Sequence, residues 1–172
     1  MASSSAPAST ATRTRARRTA ADPLALDAQL CFALYSASLA MTKRYRPLLD
    51  AIGLTYPQYL VMLALWEGDG LTVSALGERL RLDSGTLTPL LKRLEALGLL
   101  QRQRAADDER RVCLTLTAAG RQLRRRALPI PPQLAEALGC SAPERAALTA
   151  ALRSLRDTLA PDAGTPRSPD AA

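Results

Sequence analysis

Histidine is absent from the 172 residues of this chain. That absence excludes Ser-His-Asp and Cys-His catalysis and every metal site built on imidazole. Cysteine is scarce: Cys31, Cys113 and Cys140 form no C-x-x-C pair and no zinc-ligand spacing, so neither a metal nor another cofactor is expected. An odd cysteine count in a chain lacking a signal peptide points to a reducing, cytoplasmic setting. No apolar run reaches membrane-spanning length, so no membrane partner is expected. Aromatic residues make up only 3% of the chain, which leaves leucine and alanine to fill the core and favours helix over sheet. Residues 1–21 contain no acidic group and, after Met1, no large apolar side chain. They cannot bury enough surface to offset the entropy of ordering. Such a start resembles an organelle transit peptide, and it serves equally well as a basic arm for nucleic acid.

What is present reads most clearly from Leu71 to Thr117. Val73, Leu76 and Leu80 fall at i, i+3 and i+7, the stripe of a short helix with Thr72 or Ser74 as its N-cap. After a turn at residues 82–84, Leu87, Leu90, Leu91, Leu94 and Leu97 repeat at helical spacing, with Asp83 or Ser84 as cap and Gly98 as the stop. Pro89 inside that run predicts a kink or a late helix start. Ser84, Thr86, Thr88, Lys92 and Arg93 lie off the apolar face, the pattern of a second helix that meets base edges in a major groove. Beyond Gly98 the period changes to alternation over residues 99–104 and 111–117, around a charged tip at 105–110. This predicts a hairpin, and beside two such helices a hairpin is a wing. Arg102, Arg104, Arg110 and Arg111 can neutralise phosphates, with Arg110 at the tip able to probe a minor groove. Asp107, Asp108 and Glu109 are suited to orienting those arginines by forked hydrogen bonds. A formal charge of +7 supports a polyanionic partner, although Arg13, Arg15, Arg17 and Arg18 in the N-terminal tail supply part of it.

Asp22-Pro23 has the form of an N-cap with proline at the first helical position, and predicts a helix running to about Leu49 and ended by Gly53. On it, Cys31, Tyr35, Ser38 and Tyr45 share one direction, and Cys31 falls mid-helix. Fourteen residues of helix rise roughly 21 Å. Tyr45 therefore cannot touch Cys31 of its own chain but could reach that of an antiparallel partner, so a homodimer with composite thiol sites is expected. Thr55 to Gln58 is a capping box, and Tyr59, Leu63 and Trp66 form the stripe of the helix that follows. A further helix from Thr117 through Arg126 is broken near 128–132 and resumes at Gln133. Arg121, Arg124, Arg125 and Arg126 read as its solvated face. Ser141 to Glu144 is a second capping box, opening a helix whose Leu148, Leu152, Leu155 and Leu159 suit a partner helix.

Several stretches together carry a resemblance to the MarR family of transcriptional regulators, and within it to the organic hydroperoxide resistance regulators. They are residues 30–36, 54–60 and 87–95, the Asp108-Glu-Arg110 triplet, and the Leu116-Thr-Ala-Ala-Gly120 run. The resemblance covers about Leu26 to Leu159. It implies a mainly α fold with a small β-hairpin wing, a winged helix-turn-helix that pairs as a homodimer through its N- and C-terminal helices. The corresponding division is a disordered basic tail at 1–21, a winged-helix domain at 22–159 and a disordered tail at 160–172. Within the domain, dimerisation helices at 22–52 and 117–159 flank a DNA-binding part at 55–117. It implies further that Cys31 is the sensing thiol, oxidised to a sulfenic acid, with Tyr45 and Tyr56 hydrogen-bonded to the sulfur across the interface and Tyr35 near it. Cys140 is the candidate resolving residue, with a mixed disulfide to a small thiol as the other fate of the oxidised sulfur. Cys113, alternating with Val112 and Leu114, is expected to be structural.

The expected function is that of a repressor, not an enzyme, which binds double-stranded operator DNA and leaves it when an organic hydroperoxide oxidises Cys31. Ser84, Thr86 and Thr88 would read bases or position the helix, and Lys92 and Arg93 would hold phosphate. Asp108, Arg110 and Arg111 would serve the wing. Besides a dimerising scaffold without DNA affinity, two other readings compete. One replaces oxidation by a small aromatic ligand in the dimer crevice. The other is a thiol peroxidase, which requires an activating base or arginine beside the cysteine, and residues 27–30 supply neither.

Overall fold

Asp22 and Pro23 open a turn, not a helix. In the computed structural model, which describes residues 22–104 and 111–160, the Asp22 carboxylate accepts from the Leu24 N–H at 2.9 Å and its carbonyl from the Ala25 N–H at 3.0 Å. One turn of 3-10 helix follows at Leu26–Ala28, and the first long helix, α1, covers Leu30–Asp50. The expected start is thus corrected, because Asp22 closes a local turn and Gln29 Nε2 donates to the Pro23 and Ala25 carbonyls at 2.6 and 3.3 Å. Cys31 consequently stands in the first turn of α1 and not mid-helix.

The chain divides into two compact units, at residues 1–43 and 44–172. The described part of the first, residues 22–43, buries no side chain and exposes Leu24, Leu26, Leu30, Tyr35 and Leu39.

The second unit is organised on α2 (Tyr56–Glu67). Thr55 starts it as expected, with Gln58 Oε1 accepting from the Thr55 N–H at 2.8 Å. Periodicity marks only one stripe, but the structure buries Gln58, Tyr59, Val61, Met62, Ala64 and Leu65. The helix is enclosed because α3 (Val73–Leu80), α4 (Ser84–Ala96), β2 (Val112–Leu116) and α5 (Ala118–Ala127) all pack on it. Complete burial of Val61 or Met62 contributes about 1.5–3 kcal/mol each.

Thr72 caps α3, accepting from the Ala75 N–H at 3.1 Å, and Asp83 caps α4, accepting from the Thr86 N–H at 2.8 Å. The turn between them closes on Gly77, where a Cβ would lie 3.0 Å from the Leu82 carbonyl oxygen. α4 runs unbroken through Pro89, which overturns a late start. The carbonyl that Pro89 leaves without a donor is that of Gly85, on an exposed turn where water can serve it.

β1 (Leu100–Arg104) pairs antiparallel with β2, Leu100 opposite Leu116 and Arg104 opposite Val112. The expected tip, with Asp107, Asp108, Glu109 and Arg110, lies outside the described residues. A third short edge was not legible in the sequence: the Leu114 N–H donates to the Leu71 carbonyl at 2.8 Å, and the Gly70 N–H to the Leu114 carbonyl at 3.0 Å. At the base of the hairpin the Thr117 hydroxyl donates to the Gly98 carbonyl at 2.6 Å and accepts from the Gly120 N–H at 3.0 Å. The Trp66 indole donates to the Gly120 carbonyl at 2.9 Å. Asp69 accepts from the Leu116 N–H at 2.8 Å and pairs with Arg121 at 3.1 Å.

Arg121, although exposed as expected, thus has a structural partner, as does exposed Arg126, which donates to the Ala51 carbonyl at 2.6 Å. Arg124 and Arg125 complete the exposed face. The expected break falls at residues 128–129, and α6 (Ile130–Ala137) resumes earlier than expected, because Pro131 and Pro132 fit its first turn, where a missing N–H costs nothing. α7 (Ala142–Leu159) opens on the expected Ser141–Glu144 capping box. It buries no side chain and exposes Leu148, Leu152 and Leu159.

The tightest of these contacts is at Gly120, where a Cβ would stand 2.0 Å from the Leu99 carbonyl oxygen. Gly120→Ala is expected to lower the unfolding free energy by about 3 kcal/mol in urea denaturation, the upper range for overpacking. Gly68→Ala, with nothing within 4 Å of the added carbon, should stay within about 1 kcal/mol of the parent. Equal losses in the two variants would contradict the packing argument.

Candidate nucleic-acid interface and thiol site

The Asp83 cap fixes the start of α4 and thereby aims its first turns. Asp83 Oδ2 also accepts from the Thr86 hydroxyl at 3.0 Å, and together the Thr86 N–H and hydroxyl hold the Asp83 carboxyl below its usual range. Ser84, Thr86 and Thr88 are exposed on that helix, as are Lys92 and Arg93 two turns on. The Thr88 hydroxyl proton is engaged by the Ser84 carbonyl at 2.7 Å, leaving the oxygen to accept. A cleft of about 570 Å³ opens between α3, α4 and the hairpin, with Ser84, Thr88, Arg102 and Arg111 on its walls. The structure thus brings the hydroxyl-bearing helix and the hairpin arginines to one concavity.

Not every arginine there faces outward for a ligand. Arg102 is held by Glu95, its Nε at 2.8 Å and Nη2 at 2.6 Å, and this pairing holds the Glu95 carboxyl below its usual range. Arg102 therefore ties β1 to α4, a structural partner that the sequence did not indicate. Arg79 similarly pairs with Glu67. Arg111 is exposed just before β2, while Asp108 and Arg110 lie outside the described residues.

Cys31 and Tyr35 belong to the first unit, one helical turn apart on α1, and both are exposed. Tyr45 and Tyr56 belong to the second, where their rings pack with centroids 4.8 Å apart at 41°. Tyr59, fully buried, extends the cluster at 5.9 Å from Tyr45, and Trp66 continues it at 6.3 Å from Tyr59. Burial, followed by the neighbouring phenols of Tyr56 and Tyr59, pushes the Tyr45 hydroxyl up to about 12. Burial also raises Tyr56. Both remain neutral hydrogen-bond donors across the physiological range. Cys140 is half-buried between α6 and α7, its carbonyl accepting from Arg145 at 2.5 Å. Cys113 is half-buried on β2, opposite Gln103. All three cysteines are free thiols. Among the described residues no group of three or more Cys, Asp or Glu side chains could hold a metal ion.

Sequence reasoning missed Asp69, Arg121 and the Glu95–Arg102 pair. Asp69 and Arg121 are 52 positions apart and carry no local signal of their meeting.

Residues 43–126 match the family described as transcriptional regulator SarA/Rot. The organic hydroperoxide resistance transcriptional regulator of Bacillus subtilis is 49% identical over 138 residues, covering 80% of this chain and 94% of that protein. The HTH-type transcriptional regulator TtmR of Methylorubrum extorquens is 51% identical over 150 residues, 87% of this chain and 77% of its own. Among solved structures, overoxidized AbfR bound to DNA superposes with a TM-score of 0.66 at 34% identity, covering 78% of this chain and 95% of that one. AbfR, from Staphylococcus epidermidis, has also been solved reduced and bound to DNA.

A raised phenol links stability to alkaline pH. Because the Tyr45 folded value lies above the ordinary 10, its stabilisation is complete below pH 10 and is lost as pH rises through about 12. Ultraviolet titration of the tyrosines should show a component at about 12 that Tyr45→Phe removes. A parent in which every phenol has ionised by pH 10.5, roughly the unperturbed range, would contradict the buried cluster.

Proposed function

The chain belongs to the MarR family of transcriptional regulators, in its organic hydroperoxide resistance branch, and on that premise we propose that it is a redox-sensing repressor. A homodimer holds operator DNA while Cys31 is a thiol and leaves it when an organic hydroperoxide oxidises that sulfur. The observation that carries this reading is the 49% identity to a regulator named for organic hydroperoxide resistance, sustained over 94% of that protein's length. The concavity shared by α4 and the hairpin supports it. Ser84, Thr86 and Thr88 face base edges from the start of α4, Lys92 and Arg93 hold phosphate, and Asp108, Arg110 and Arg111 form the working part of the wing.

The exposed leucines of α7 and of residues 24–39 are the apolar surface that a second copy covers. At that seam the partner lends the neutral Tyr45 and Tyr56 phenols to Cys31, with Tyr35 beside it. The Cys31 thiolate attacks a peroxide oxygen, the O–O bond breaks, and the alkoxide leaves and is protonated to an alcohol. Sulfur is thereby oxidised by two electrons to a sulfenic acid. Attack by a second thiol, that of Cys140 or of a small molecule, forms a disulfide and releases water. Each subunit consumes one equivalent and does not turn over, so the chain is a regulator and not an enzyme. It acts in the cytoplasm, where the operator lies, and no helix among the described residues is long and apolar enough to cross a membrane.

Cys31→Ser tests the thiol. With a duplex bound by the reduced protein, tert-butyl hydroperoxide should weaken the parent's binding about tenfold or more, within the usual range of coupling between sites, and leave Cys31→Ser bound. Release of the serine variant at the same peroxide concentration would show that the sulfur is not the trigger.

A further inference from the structure

Five of the described residues take a left-handed backbone, and four of them are glycines, at 53, 70, 98 and 139. The fifth is Arg81, at φ 57° and ψ 40°. Arg81 ends α3: its N–H reaches the Glu78 carbonyl at 3.3 Å, and the Leu82 N–H returns to the Gly77 carbonyl at 3.0 Å. This is the left-handed helix stop whose swivel position glycine most often fills, since a Cβ there crowds the backbone. The chain meets the same requirement with glycine at every other described position.

Nothing within the fold explains the exception. The Arg81 side chain is exposed and makes no hydrogen bond or ion pair among the described residues, whereas Arg79, Arg102 and Arg121 each hold a carboxylate. What distinguishes the position is its place in the turn between α3 and α4, two residues before the Asp83 cap. That cap is an ionised carboxylate at the very end of the helix that enters the groove. On its own it repels a polyanion. A cation on the same exposed turn offsets it.

We infer that Arg81 is a DNA contact, its guanidinium binding a backbone phosphate beside the groove that α4 enters, and that the left-handed backbone is tolerated to place a long cation there. The inference rests on the DNA-binding reading above and adds a residue to it. Glycine at this position relaxes the backbone and removes the cation; lysine keeps the cation and the strain.

The reduced wild-type protein first selects a duplex from a random-sequence library. That duplex, fluorescently labelled, is then titrated with wild type, Arg81→Gly, Arg81→Lys and Lys92→Gln over a range of salt. Arg81→Gly should raise the thermal midpoint by about 2 °C while weakening binding about tenfold. Its log–log salt slope should be shallower by about 0.9 for each phosphate lost, about 2 for a dimer. Arg81→Lys should keep the wild-type slope and midpoint. An Arg81→Gly protein that binds with wild-type affinity and slope, or whose midpoint falls, overturns the inference. If Lys92→Gln is still weakened in that case, the DNA-binding reading stands without it. A wild type that enriches no duplex removes both.

Discussion

Gly120 lies so close to the Leu99 carbonyl that no side chain fits between them, and the reading head depends on that approach. It lets α5 start directly beneath the hairpin. Its own carbonyl takes the Trp66 indole proton, while Thr117 caps the helix and binds the Gly98 carbonyl with the same hydroxyl. Asp69 completes the junction from the other side by holding the Leu116 N–H and Arg121. α2, the end of α4, both strands and α5 thus meet at one hydrogen-bonded root. Short bonds, from Thr117 to the Gly98 carbonyl and from Arg102 to Glu95, connect the hairpin to α4 and the turn that follows it.

This arrangement separates the work of the charged residues. Arg102 and Arg121 are consumed in joining elements, to Glu95 and Asp69, and Arg126 bonds a backbone carbonyl. A formal charge of +7 does not say where the cationic surface lies, since four of the arginines counted stand in residues 13–18. What counts is which cations stand on the turn, on the second half of α4 and on the hairpin. The apolar side shows the reverse economy: the second unit has a dense core around α2, while α7 and residues 22–43 bury nothing and display leucines. In the proposed function, sensing belongs to those uncovered helices and DNA recognition to the densely packed head.

The helix-turn-helix and its wing were legible because each element announces itself locally: caps at Thr72, Asp83 and Thr117, a stop at Gly98, and a change of period after it. The start of α1 was not. Asp-Pro caps a turn as readily as a helix, and which one forms depends on where the next carbonyls find donors, here on Gln29. The enclosure of α2 was also hidden, since periodicity reports one face and cannot report neighbours arriving on the others. The pairing of Leu71 with Leu114 and of Asp69 with Arg121 joins segments far apart in the chain, and the left-handed Arg81 contradicts its residue type. For the candidate site, the ring packing of Tyr45 on Tyr56 joins the end of α1 to the start of α2, and neither spacing nor composition foretold it.

Control of DNA occupancy by the sulfur of Cys31 is the central claim. The direct measurement adds an organic hydroperoxide in small steps to the protein–duplex complex. At each step, bound duplex is read by fluorescence anisotropy and the oxidised fraction of the Cys31 peptide by mass spectrometry on the same sample. The expected result is that occupancy falls in proportion to oxidised Cys31 while the Cys113 peptide stays at its reduced mass. Duplex released while the Cys31 peptide remains unmodified would contradict the account.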